Sequence, residues 1–166
     1  MAGKNSTARG INNQISGLNS HAEGKDNQIA SSNAHAEGNG NKVLSGANNS
    51  HAEGYNNTVS NNQAHAEGSG TTASGNSSHS EGSGTIAASG SQHAQGKYNI
   101  EDSNGLYADI VGWGTSSERK NISALTTSGT LRLAGDAYVG CNNDSTGGLR
   151  LATEECVLAH RVQVNT

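Results

Sequence analysis

The sequence predicts an all-β chain built as a parallel β-roll of 14-residue repeats and followed by a short antiparallel or intertwined β-rich segment. Three observations point there. A phrase written SHAEG at residues 20–24 recurs, exactly or nearly, with its histidine at His21, His35, His51, His65, His79 and His93. Neighbouring histidines are 14 (35−21), 16 (51−35) and then three times 14 residues apart, so one unit carries a two-residue insertion. The chain is also poor in large apolar side chains, with 31% hydrophobic residues, 23 glycines, one tryptophan, no phenylalanine and no proline in 166 residues, which rules out a broad globular core.

Low apolar content alone would suggest disorder, but only 14% of residues are charged and the polar ones follow a strict order. Aligned on His, each unit has a small residue directly after it (Ala22, Ala36, Ala52, Ala66, Ser80, Ala94) and an apolar one at the ninth place (Ile29, Val43, Val59, Ala73, Ala87). Ile15 belongs to a partial unit before the first His. The seventh place is Asn or Thr (Asn13, Asn27, Asn41, Asn57, Thr71, Thr85, Asn99), and glycine fills the fourth from Gly24 to Gly96. In the cleanest copies the halves of a unit read S-x-A-x-G and T-x-A-x-G. Residues alternate about each small apolar position, which is strand period. Glycine at the end of each half is expected to supply the positive φ of a corner. Two strands and two corners make a coil, and stacked coils pair each strand with its copies above and below at about 4.8 Å. The interior column narrows from Ile29 through Val43 and Val59 to Ala73 and Ala87, and so thin a core invites further burial against identical chains.

Strand alternation sends His and Glu away from the interior, on the far side of the buried Ala. This face barely changes, running His21/Glu23, His35/Glu37, His51/Glu53, His65/Glu67, His79/Glu81 and His93/Gln95. The outward places of the other half vary freely, as in Gln28/Ala30, Lys42/Leu44, Thr58/Ser60, Thr72/Ser74 and Ile86/Ala88. The constant face therefore reads as a contact between chains. If three chains meet there about an axis, each coil contributes three imidazoles and three carboxylates that can hydrogen-bond between them.

The pattern S-x-A-x-G-x-x-T-x-A-x-G over roughly residues 11–98 resembles the head repeats of trimeric autotransporter adhesins. The SHAEG version is similar to repeats of tail-fibre and minor structural proteins of phages and prophages of Gram-positive bacteria. KYNIEDSNGLYADIVGWGTSSERKNISALTTSGTLRLAGDAYVG is similar to a module that follows such repeats, and LRLATEE to their carboxyl-terminal segment. The resemblance implies a left-handed β-roll, a homotrimer and a place in the virion, as a tail-fibre component bound to other tail proteins and attaching to a bacterial surface glycan or protein. Adhesin heads carry aliphatic residues where this chain has His and Glu, so a polar axis is its own variation. A bacterial surface adhesin is the alternative; it would need a signal peptide and a membrane barrel, which are not read here. A module joined to an autoproteolytic chaperone domain is another, since some proteins with SHAEG repeats continue into one.

The expected organisation is a trimeric repeat stalk over 1–100, a β-rich head or transition module over 101–148, and a carboxyl-terminal segment over 149–166. Within the second, LYADIVG (106–112), NISAL (121–125), TLRLAG (130–135) and DAYVG (136–140) read as strands, with turn signals at Ser128–Gly129 and Gly135–Asp136. Residues 152–162 suit a short helix with Thr153 as N-cap. Trp113, between two glycines, is either a glycan-stacking platform and so a candidate receptor contact, or a buried plug closing the roll, which is the expected reading.

Other functions fit less well. The formal net charge of −4 with no Lys/Arg cluster argues against a nucleic-acid partner, and the absence of any run of 18 apolar residues argues against membrane insertion. Cys141 and Cys156 have neither CxxC spacing nor a ligand cluster nearby and read as unpaired thiols. Hexapeptide acyltransferases build coils of about 18 residues, and calcium β-rolls need Asp in a GGxGxDx pattern. Six equivalent His-Glu pairs define no single pocket and bring no nucleophile, so no enzyme is expected. No cofactor or metal is expected either, since no His-x-His or His-x3-His pair falls within a coil, although stacked imidazoles beside carboxylates keep a metal on the ladder as an open alternative.

Overall fold

A computed structural model of the chain describes residues 3–135 together with the strand backbones Ala137–Val139 and Leu149–Leu151. It is all-β, with no helix among the described residues, and its repeats form a parallel β-solenoid. Long strands Thr7–Ile11, His21–Lys25, His35–Asn39, His51–Tyr55, His65–Ser69, His79–Ser83 and His93–Lys97 stack in one sheet. Short strands Gln14–Ile15, Gln28–Ile29, Lys42–Val43, Thr58–Val59, Thr72–Ala73 and Ile86–Ala87 stack in a second. The register joins equivalent places throughout, as in His21↔His35, Ala22↔Ala36 and Ile29↔Val43. It also holds across the longer coil, His35↔His51, where the insertion turns through Gly46 (φ 92°) and buries Ala47.

The core lies where strand alternation puts it. Ala22, Ala36, Ala52, Ala66, Ser80 and Ala94 are fully buried, facing the column Ile15, Ile29, Val43, Val59, Ala73 and Ala87. Between these columns runs a buried polar ladder made by the seventh-place residues. The Asn27 amide donates to the Glu23 and Gly38 carbonyls at 2.8 and 3.0 Å, and its Oδ1 accepts from the Asn41 backbone N–H at 2.9 Å. Asn41 and Asn57 repeat the arrangement, the latter accepting from Thr71 N–H at 2.8 Å. These bonds engage carbonyls of the long strands, such as those of Glu23 and Gly38, and the corner N–H of the next seventh-place residue, as any buried peptide group requires.

The corners are not where the glycine reading put them. The left-handed residues of each coil stand two places before His (Asn19, Asn33, Asn49, Gln63, Ser77, Ser91) and five places after it (Asp26, Gly40, Asn56, Gly70, Gly84, Tyr98). Asn, Asp and Gly dominate because they tolerate this backbone best. The fourth-place glycines do have positive φ, but they lie within the long strands, where each approaches its successor closely. A Cβ on Gly68 would stand 2.1 Å from the Gly82 carbonyl oxygen.

The parallel sheet continues past residue 100. Tyr107–Trp113 adds an eighth rung, pairing Ala94 with Ile110 and Gly96 with Gly112, again at a 16-residue offset (109−93). Asn121–Thr126 then pairs antiparallel with it and Leu131–Leu133 ends the sheet. One compact unit spans Met1–Arg132 and a second Leu133–Thr166; in the second, Ala137–Val139 pairs antiparallel with Leu149–Leu151. The helix expected over 152–162 lies outside the described residues, as do Cys141 and Cys156.

Candidate functional site

The long sheet presents the repeated His and Glu side chains on its outer surface as two parallel columns. Rung spacing fixes the imidazoles at stacking distance: ring centroids of His35, His51, His65 and His79 are each 4.7 Å from the next, with interplanar angles of 5°, 5° and 1°. The ends of the stack loosen. His79 and His93 are 5.0 Å apart at 22°, and His21 tilts 53° from His35.

Each imidazole keeps roughly a third of its side-chain surface exposed, 33% at His51 for example. The ring nitrogens turned toward the Glu column are nonetheless shielded. Nε2 of His35, His51, His65, His79 and His93 is buried and makes no hydrogen bond. Carboxylate oxygens stand nearby but too far for one: 3.7 Å for His35–Glu37, 3.9 Å for His51–Glu53, 3.9 Å for His65–Glu67 and 4.0 Å for His79–Glu67. The spacing closes to 3.4 Å at both ends of the stack, between His21 Nε2 and Glu23 Oε2, which hydrogen-bond, and between His93 Nε2 and Glu81 Oε1, which do not.

Electrostatics favour the neutral ring at His51 and His79. Burial lowers the pKa of His51, with its neighbours His65 and His35 adding to the effect and Glu53 and Glu37 opposing it. Burial likewise lowers His79, reinforced by His65 and His93 and opposed by Glu81 and Glu67. Glu23, Glu37, Glu53, Glu67 and Glu81 are successive partners in register except where the chain's rungs end, so like charges face one another a rung apart. No lysine or arginine forms an ion pair with them among the described residues.

Both columns have ends that the repeat pattern did not disclose. In register with the histidines lie Thr7 on one side and Asp109 on the other; in register with the glutamates lie Arg9 and Val111, the latter opposite Gln95. Asp109 Oδ1 meets His93 Nδ1 at 2.9 Å and the Gln95 amide at 3.5 Å, so the last imidazole of the stack faces a carboxylate. The available signal was the recurrence of a 16-residue spacing and the shared glycine of HAQG and DIVG.

All twelve residues from His21 and Glu23 to His93 and Gln95 thus share one outward face, in line. Trp113 shares it too. It is 67% exposed and pairs with Lys97 at the end of the eighth rung, so the buried-plug reading is corrected. The physical reason is parity: Ile110 occupies the interior on that strand, and three residues on the chain points outward. The exposed placement suits an aromatic platform for a planar or sugar ligand.

Chemically, the face offers unbonded imidazole nitrogens, uncompensated carboxylates and one flat aromatic ring. One ligating atom of each residue lies within 4.8 Å of the others in three groups: His35–Glu37–His51, His51–Glu53–His65 and His65–Glu67–His79. No family model matches the chain, and neither a curated protein nor a solved structure matches it.

Proposed function

We propose that the chain is a structural and binding module that works as a homotrimer, its copies meeting on the His/Glu face, within a phage or prophage tail fibre that attaches to a bacterial surface. The observation that carries the self-association is the set of buried Nε2 atoms without a hydrogen-bond partner, on a face repeated rung after rung. Unbonded buried polar atoms cost free energy, and a neighbouring chain's carboxylate or hydroxyl would satisfy them once the imidazoles, about one-third exposed, turn outward to meet it. The tail-fibre context is supported by the resemblance of the SHAEG units and of the segment after them. On this reading Trp113 is the candidate contact to a surface glycan, and the role is attachment rather than catalysis.

The test is native mass by light scattering coupled to size exclusion. From a chain mass of 16.8 kDa the trimer is expected near 50 kDa. A monomer would overturn the association. Attachment is read from retention of the trimer by purified Gram-positive cell walls; the trimer is expected to bind and Trp113→Ala to bind less, whereas equal retention by variant and parent removes Trp113 from that role.

A further inference from the structure

We infer that the histidine ladder is a divalent transition-metal site of the zinc class, with two ions per chain held by His35–Glu37–His51 and by His65–Glu67–His79. This goes beyond the fibre reading and needs the atoms of one chain only, and it competes with hydrogen bonds to a neighbouring chain for the same Nε2 atoms.

Geometry carries the first step. Within each group the ligating atoms lie no more than 4.8 Å apart. The centre of a triangle with sides of that length is about 2.8 Å from every corner, against about 2.0–2.2 Å for zinc bonded to imidazole or carboxylate. Closing the difference asks each donor atom to move by less than 1 Å or so and, because an imidazole lone pair lies in its ring plane, asks the two stacked rings to turn out of parallel toward the ion, a rotation open to side chains about one-third exposed. The rung spacing supplies two imidazoles, and the Glu between them in the neighbouring column supplies the third donor. Glu67 already reaches toward both rungs, with one oxygen 3.9 Å from His65 Nε2 and the other 4.0 Å from His79 Nε2.

Unsatisfied chemistry supplies the second step. The same Nε2 atoms are buried without hydrogen bonds, and the carboxylate column has no lysine or arginine paired with it among the described residues. A cation between them satisfies both lone pairs and negative charge. Mixed nitrogen and carboxylate donors suit zinc, nickel or copper, whereas magnesium and calcium prefer all-oxygen shells. Three protein donors leave a fourth position for water or for a donor from another molecule.

Stoichiometry follows from sharing. The three candidate groups overlap at His51 and His65, and one Nε2 lone pair serves one ion. Filling the outer two groups uses six different residues and excludes the middle one, which gives two ions where a count of groups would give three.

The test is native mass spectrometry and equilibrium dialysis of the full chain with zinc chloride, after alkylating Cys141 and Cys156 so that thiols take up none. Two zinc ions per chain are expected, with magnesium giving none. His65→Asn should leave one ion, held by the first group, and His51→Asn with His65→Asn should leave none. Circular dichroism checks that the solenoid persists. Glu37→Gln with Glu67→Gln leaves the ring stack untouched and should weaken uptake at least roughly tenfold, since a direct ligand matters no less than the outer-shell partners whose loss costs that much. Failure of the parent chain to retain zinc, or unchanged uptake in either double variant, overturns the proposal.

Discussion

Replacing Asn41 by alanine should destabilise the solenoid more than removing any exposed residue of the ladder. Asn41 is fully buried. Its amide donates to the Glu37 and Gly54 carbonyls at 2.5 and 2.9 Å, and its Oδ1 accepts from the Asn57 N–H at 2.9 Å. Alanine deletes all three bonds. The Asn57 N–H has a single hydrogen to place and loses its partner outright, at about 1–3 kcal/mol; the carbonyls, each with a second lone pair, lose about 0.5–1 kcal/mol apiece. The expected total of about 2–5 kcal/mol is a large part of the roughly 5–15 kcal/mol that holds an ordinary domain together. Asn41→Thr should cost about half as much, because Thr85 shows a hydroxyl at the same place donating to the Glu81 carbonyl at 2.9 Å. Urea unfolding followed by circular dichroism gives the free-energy differences, and amide exchange at Asn57 reports the orphaned N–H directly. A loss below about 1 kcal/mol for Asn41→Ala, or equal losses for Ala and Thr, would refute the view of the ladder as hydrogen bonds the backbone needs.

Two glycines two residues apart should respond in opposite ways. Gly68→Ala forces a Cβ against the Gly82 carbonyl at φ 102° and should cost more than about 4 kcal/mol, while Gly70→Asn, at φ 66° with open space around it, should stay within about 0.5 kcal/mol of the parent, since Asn56 stands at the equivalent corner with φ 54°; melting temperatures of the two variants decide, and equal losses would refute the distinction. Stability should also fall on acidification. Folding lowers the pKa of His51 and His79, so the folded state disfavours their protons; their contribution is complete above the unfolded value near 6.5 and is lost as pH drops through the lower folded values. A melting temperature that stays level between pH 7.5 and pH 5, measured by differential scanning calorimetry with chelator present, would contradict this.

How much of the fold was legible depends on which physical rule each residue obeys. Alternation about Ala22 and Ile29, repeated at fixed intervals, specifies two strands per coil and their burial, because a one-residue slip would expose the whole column. The corners were misplaced because glycine has two uses here. At Gly24 and its copies it permits backbones to approach, while the turns themselves rest on Asn19 and Asp26, whose polar side chains resemble loop filler in a sequence already rich in Asn. The eighth rung escaped notice for a related reason: Asp109 and Ile110 replace His and Ala, leaving only Gly112 and the spacing as traces. That omission led to the error at Trp113. Scarcity of large residues argued for burying it, but parity along an identified strand is a stronger constraint than scarcity, and with Ile110 inside, Trp113 faces out.

The candidate site was legible in position and not in purpose, and the ends of the columns show why. Every inward residue of HAEG has a reason within one chain: alanine because the interior is two narrow columns wide, glycine because a carbonyl stands where its Cβ would be. The outward residues have no such reason. Thr7 and Arg9 occupy the same register as His21 and Glu23, and Asp109 and Val111 the same register as His93 and Gln95, with the strand pairing unbroken. Single-chain folding therefore tolerates quite different chemistry at these places, while stacking five carboxylates and six imidazoles at rung spacing works against stability through repulsion and through buried nitrogens left without partners. A pattern that the fold does not require and that the isolated chain does not benefit from points to something outside the chain, and the two candidates differ in what they supply: a neighbouring copy brings hydrogen-bond partners to every rung, whereas zinc neutralises charge at alternate pairs of rungs. Stabilisation by zinc of the parent but not of the His51→Asn, His65→Asn variant, at unchanged native mass, would assign the ladder to the ion and leave the association to be explained by other surfaces.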